Sequence, residues 1–156
     1  MDSSTRLAVA AVFVWLGMVL AISFVEAPLK FRAPGVTLKV GLGIGRLVFR
    51  ALNVFEYVFV LVIAVALFTH ETSAALNIAV CVAVGALLTQ TIAVRPLLAR
   101  RTAAVLEGDA PDGATPANAV LVGEAGRRSR AHFAYVGLEL VKVIALVWTG
   151  ALLIGA

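Results

Sequence analysis

Apolar residues run through this chain in four long blocks, about 7–25, 51–69, 74–94 and 131–154, with polar residues gathered between them. Hydrophobicity inside each block is continuous, without the period-two alternation of a barrel strand, so the blocks predict helices. Each approaches the ~20 residues that a helix needs to cross the hydrocarbon core. A helix in lipid satisfies its own backbone groups, which leaves four spans in one bundle as the economical architecture. The predicted fold class is all-α: a four-helix transmembrane bundle, one polytopic membrane domain over residues 1–156.

Composition strengthens this reading. Of 156 residues, 62% are hydrophobic, and the mean hydropathy is +1.02, whereas a soluble domain is roughly 45–50% apolar. The first block is longer than the apolar core of a secretory signal, and a cut after Ala27 would fall beside Pro28, so the segment is expected to be retained as a span.

Charge then orients the bundle. The segment 26–50 holds Lys30, Arg32, Lys39, Arg46 and Arg50, and the segment 95–130 holds Arg95, Arg100, Arg101, Arg127, Arg128 and Arg130. Arg6 is the one basic residue before the first span, and His70-Glu71-Thr72-Ser73 carries no lysine or arginine. Basic loops stay cytoplasmic. Loops 26–50 and 95–130 are therefore expected inside, with both termini outside, in an inner or plasma membrane. The net charge of +4 is concentrated at that face, where Arg46, Arg50, Arg100, Arg101, Arg127, Arg128 and Arg130 would meet anionic lipid heads. Nothing further points to nucleic acid.

Between the first two spans, Val36–Phe49 mixes Lys39 and Arg46 with Val, Leu, Ile and Phe, the pattern of an interfacial amphipathic segment. Its Gly41, Gly43 and Gly45 lack the strand and βαβ setting of a phosphate loop, so close packing or a bend is the better account. The loop 95–130 contains a turn-rich linker, Glu107–Pro116, and is too short for an enzyme domain.

Polar residues inside and at the ends of the blocks stand out. The stretch Phe55-Glu56-Tyr57-Val58-Phe59 puts a carboxylate in the second span. In the fourth, His132, Tyr135, Glu139, Lys142 and Thr149 fall on one helical face. In the second, Arg46, Arg50, Asn53 and Glu56 do the same. The third adds Thr89-Gln90-Thr91, and the first adds Ser23 and Glu26. A charge at mid-membrane costs about 2.5–3.5 kcal/mol on insertion scales, so it should face the bundle and find a partner. Glu56, Glu139 and Lys142, with Asn53 and Tyr135, are the candidate ligand, ion or structural ion-pair site. Two acids and one ammonium leave one acid over, to be protonated, to be reached by an arginine such as Arg50, or to hold a cation.

Two short patterns recur. Pro28-Leu29-Lys30-Phe31-Arg32 and Pro96-Leu97-Leu98-Ala99-Arg100 both read P-L-x-x-R. Glu56 to Val60 and Glu139 to Val143 both read E-x-V-x-V, each after an Arg-Ala pair. These matches suggest two parallel repeats about an axis along the membrane normal.

Other chemistry is sparse. His132, at the mouth of the fourth span, is the one candidate contact for a haem or quinone. His70 belongs to the opposite face. No spacing of Cys and His suggests zinc or iron–sulfur, no catalytic set is assignable, and the single Cys81 reads as a small packing residue.

The order of features resembles the small four-helix membrane family that includes transmembrane protein 205 and its uncharacterised bacterial relatives. The matching segments are Phe24-Val25-Glu26-Ala27-Pro28-Leu29-Lys30-Phe31 at the end of the first span and Arg130-Ala131-His132 at the entry to the fourth. The resemblance implies a polytopic membrane protein without an established catalytic activity, and it carries no catalytic residue over. Glu139 and Lys142 depart from it. The expected role is non-enzymatic: binding or transport of a proton, cation or small polar ligand, in a homo-oligomer. The alternative is a structural or haem- or quinone-holding accessory subunit of a larger membrane complex.

Overall fold

Among the described residues, four helices are long and apolar enough to cross a membrane. The computed structural model describes residues 2–68, 72–96 and 117–155; for Leu38, Lys39 and residues 117–132 it describes the backbone only. The span α1 covers Ser3–Arg32. It is a regular α-helix over Ser3–Val19 and widens to a π-helix over Leu20–Glu26, then closes through Ala27–Leu29 and a 3-10 turn at Lys30–Arg32. The helix α2 is Leu38–Leu67. The span α3, Ala74–Val94, ends in a second π-helical stretch, Gln90–Val94. The helix α4 is Ala117–Gly155.

Local sequence sets the starts. Asp2, Thr37 and Ser73 each accept a bond from the backbone N–H three residues on, which satisfies a donor that the first turn leaves orphaned. Gly35, at φ 77, makes the turn after Pro34 that sends the chain back into α2. The amphipathic stretch predicted at Val36–Phe49 is helical from Leu38 on and continues without a break into the second span. Two of its glycines sit at close contacts: a Cβ on Gly41 would collide with the Phe31 ring, and one on Gly45 would lie 2.7 Å from Lys30 Nζ, whereas Gly43 has open space beside it.

The bundle is apolar outside and mixed inside. Leu61, Val65, Ile92 and Ile144 are among many large side chains that face outward. The interior is built from Ala8, Val12, Trp15 and Val19 on α1, Ile63 and Ala66 on α2, Leu76, Ala83 and Leu87 on α3, and Ala145, Leu146 and Leu153 on α4. A surface this apolar over four spans is that of a membrane protein. In lipid no hydrophobic force draws helices together, so small residues that let backbones approach supply the packing. Cys81 is exposed on this outer surface, not the packing residue its sequence context suggests, because it falls off the buried row Leu76, Ala79, Ala83, Ala86.

The helix α1 packs along α2 and α4, and α3 packs along α4. At the α1–α4 contact a Cβ added to Gly150 would lie 2.9 Å from the Phe13 ring, whereas Gly137 has open space beside it. Gly150→Val is expected to lower stability by about 1–3 kcal/mol, the usual cost of overpacking. Gly137→Val should shift thermal unfolding in detergent much less, and equal shifts would contradict this packing.

Burial follows the suspected repeat. Aligning Pro28 with Pro96 pairs Ala8 with Leu76, Ala11 with Ala79, Trp15 with Ala83 and Val19 with Leu87, all buried. Aligning Glu56 with Glu139 pairs Ile63 with Leu146 and Ala66 with Thr149, again all buried. A π-helical stretch precedes the aligned proline in both halves. The symmetry is broken in one respect: α1 lies close along α4, while its counterpart pair, α2 and α3, has far less contact.

Candidate functional site

Lys142 is the centre of the polar interior. Its buried row on α4 continues through Ala145, Leu146 and Thr149, so helical periodicity alone aims the side chain into the bundle. The ammonium meets Glu56 Oε1 at 2.5 Å, Gln90 Oε1 at 2.8 Å and Glu139 Oε2 at 3.1 Å. One residue thus ties α4 to α2 and α3. From α1, the indole Nε1 of Trp15 donates to the same Glu56 Oε1 at 3.0 Å. All four helices contribute a group.

The cluster is dry and closed. Glu56 and Glu139 are each 1% exposed, Gln90 is 2% and Lys142 is 0%. Removing one partner of such a pair costs about 3–5 kcal/mol, because a charge is left uncompensated out of water. The two carboxylates are not equivalent. Glu56 Oε1 accepts two hydrogen bonds. Glu139 Oε2 faces the Lys142 ammonium but receives no aligned hydrogen bond. Gln90 Nε2 and the Tyr135 hydroxyl are likewise buried without a hydrogen bond.

Tyr135 lies one turn before Glu139 on α4, toward the end of the bundle that carries the basic segments. Its hydroxyl is approached by the Glu139 carboxyl and by the Arg95 guanidinium, and its ring meets Phe49 of α2 edge-on at 5.6 Å. Arg95 follows directly on the π-helical end of α3 and is half-buried. The arginine nearest the surplus acid is therefore Arg95, not Arg50. Arg50 is exposed, as is Arg46, because each falls off the inward row of α2, which runs through Gly41, Gly45, Leu52 and Glu56.

The remaining sequence candidates are placed as follows. Asn53 is buried one turn before Glu56 on α2, at 9% exposure. Tyr57 faces outward. Glu26 pairs with Lys30 at 3.2 Å, so it stays at the interface and does not join the cluster. Thr149 spends its hydroxyl on Ala145 O at 2.8 Å. The side chains of His132, Arg127, Arg128 and Arg130, and the whole of His70, Arg100 and Arg101, lie outside the described residues. Among the described residues no group of three or more His, Cys, Asp or Glu could hold a metal ion.

Trp15 and Arg95 are site residues that the sequence reading did not select, and Gln90 is one that it counted among the polar residues of the third span without assigning it to the site. Each carried a usable signal. Tryptophan belongs at the membrane interface, yet Trp15 falls mid-span on the buried row of α1. Gln90 is an amide within an apolar block and must find a partner for the reason that Glu56 must. Arg95 is the basic residue closest to the end of that same block.

No family model, no curated protein and no solved structure matches the chain.

Proposed function

We propose that this membrane protein is non-enzymatic and that its Glu56–Glu139–Lys142 cluster binds one exchangeable proton. The observation that carries the reading is the odd charge count of a fully buried cluster. Two carboxylates flank one ammonium, and a net charge held in the low-dielectric interior is costly. One added proton makes the three groups neutral. Hydrogen bonding assigns the places: Glu56 Oε1 takes two donors and suits an anion, while Glu139, short of donors, has room for a proton. A metal cation or a small solute would have to displace an ammonium already facing three oxygens, and a proton does not.

Four short spans make a thin solute pathway, so transport would take place in a homo-oligomer or beside a partner subunit. The excess of basic residues in loops 26–50 and 95–130 favours the cytoplasmic side of an inner or plasma membrane for both. The family resemblance adds no residue to this role. The competing reading is a subunit in which the cluster only locks the helices together, and the Lys142 ammonium, bonded on three sides, is what such a lock requires.

The test is proton uptake after a pH jump, read with a dye in vesicles holding purified protein. Wild type is expected to take up close to one proton per chain and Glu139→Gln close to none, both at wild-type helicity. Equal uptake by the two proteins would reduce the cluster to a lock.

A further inference from the structure

The polar interior is not symmetric along the membrane normal. From Lys142 toward the outer ends of the helices, the buried side chains include Val12, Ile63, Ala66, Leu76, Leu146 and Leu153, and among the described residues Thr149 is the one buried polar exception, its hydroxyl turned back on its own helix. Toward the basic end the order is different. Glu139 comes first, then the Tyr135 hydroxyl, then Arg95, which stands at the end of α3 where the chain leaves the span. At ~1.5 Å per residue, Glu139 lies roughly 9 Å along α4 from Phe133, where that apolar span begins.

We infer that the cluster exchanges its proton with one side only, the basic end of the bundle, and that the Tyr135 hydroxyl is the relay between Glu139 and water at Arg95. The inference rests on the proton-site reading above. Three observations meet in it. The hydroxyl is buried within reach of the Glu139 carboxyl and the Arg95 guanidinium, yet it is aligned for a hydrogen bond with neither, an arrangement that costs free energy. Its two polar neighbours are a carboxyl that lacks donors and a cation at the interface. On the far side of the cluster no comparable chain of polar groups continues among the described residues.

The charged groups around Tyr135 favour a relay over a second binding site. On α4 itself it faces Glu139, with Lys142 one turn beyond. From α3 it faces Arg95. From α2 it meets the uncharged Phe49 ring, with Arg46 and Arg50 exposed. From α1 the nearest charges are Lys30, which lies 5.4 Å from the Phe49 ring centre, and Glu26, which is paired with it. Arg95 cannot give up its proton at ordinary pH, so it serves to hold water and to keep a free cation away, and it does not transfer. In one passage the phenol O–H bond breaks as its proton joins the Glu139 carboxylate, and a hydrated proton at Arg95 restores the phenol. One proton moves inward and tyrosine is regenerated.

Stopped-flow proton uptake in vesicles tests this with three variants. Tyr135→Phe keeps the ring against Phe49 and removes only the hydroxyl. Uptake is expected to slow by about 10²-fold, the lower end of what a positioned proton-transfer group contributes, with the final number of protons per chain unchanged. Thr149→Val, on the far side, should leave the rate as it is. Glu139→Gln should abolish uptake. Wild-type rates in Tyr135→Phe, or equal slowing in Thr149→Val, would overturn the one-sided route and leave the proton site standing. Uptake that survives Glu139→Gln would instead remove the proton site beneath it. Far-ultraviolet circular dichroism of each variant separates these outcomes from misfolding.

Discussion

Lys142→Met is expected to destabilise the chain more than any other single substitution within the spans. Methionine has nearly the length of lysine and loses little packing, so the effect isolates charge. Without the ammonium, Glu56 and Glu139 face each other in a dry interior. Either one of them stays ionised and unpaired, or both take protons. The Gln90 carbonyl oxygen loses its donor as well. Breaking a buried pair by deleting one partner costs about 3–5 kcal/mol, a large part of the 5–15 kcal/mol that separates folded from unfolded domains. The measurement is thermal unfolding of purified protein in one detergent, with Glu56→Gln alongside. That variant keeps an acceptor for Trp15 Nε1 and for Lys142 and should lose clearly less. If Lys142→Met unfolds at the wild-type temperature, the ion pairs contribute nothing to the bundle and water must reach them.

Much of this architecture is legible in the chain because the bilayer leaves few choices. Continuous apolar blocks such as 74–94 admit only helices, and the phase of Ala8, Val12 and Val19, or of Ala79 and Ala83, marks the side turned inward. The steps from Tyr135 to Glu139 to Lys142 place those three on one face before any coordinates are known. The partners of that face are not readable in the same way. Glu56 and Lys142 meet because α1 separates α2 from α4 by no more than the reach of a lysine, a distance that depends on small residues on several helices at once. The bond from Trp15 has the same origin. The π-helical turns that set the direction of Gln90 and Arg95 are also hidden, since one extra residue per turn leaves no mark in composition. Periodicity at 3.6 residues put Arg46 and Arg50 on the site face, but the inward row of α2 runs through Gly41, Gly45, Leu52 and Glu56, and both arginines fall off it and are exposed.

The second large effect separates a site from a lock. The triple variant Glu56→Gln, Glu139→Leu, Lys142→Met removes every charge in the cluster while an amide at position 56 still accepts from Trp15 Nε1 and can donate to Gln90 Oε1. Exchanging buried ions for side chains of similar volume is often neutral or stabilising by about 1–4 kcal/mol, because no charge then has to leave water. The triple variant is therefore expected to unfold at or above the wild-type temperature, recovering all that Lys142→Met alone loses. A chain that needed the cluster only to hold its helices in place would then be fully replaced by this variant. A chain that uses the cluster for a proton would be folded and inert, with no uptake after a pH jump. The two measurements together are decisive because they move in opposite directions. Stability follows whether the charges are balanced, whereas proton binding follows whether they are present at all.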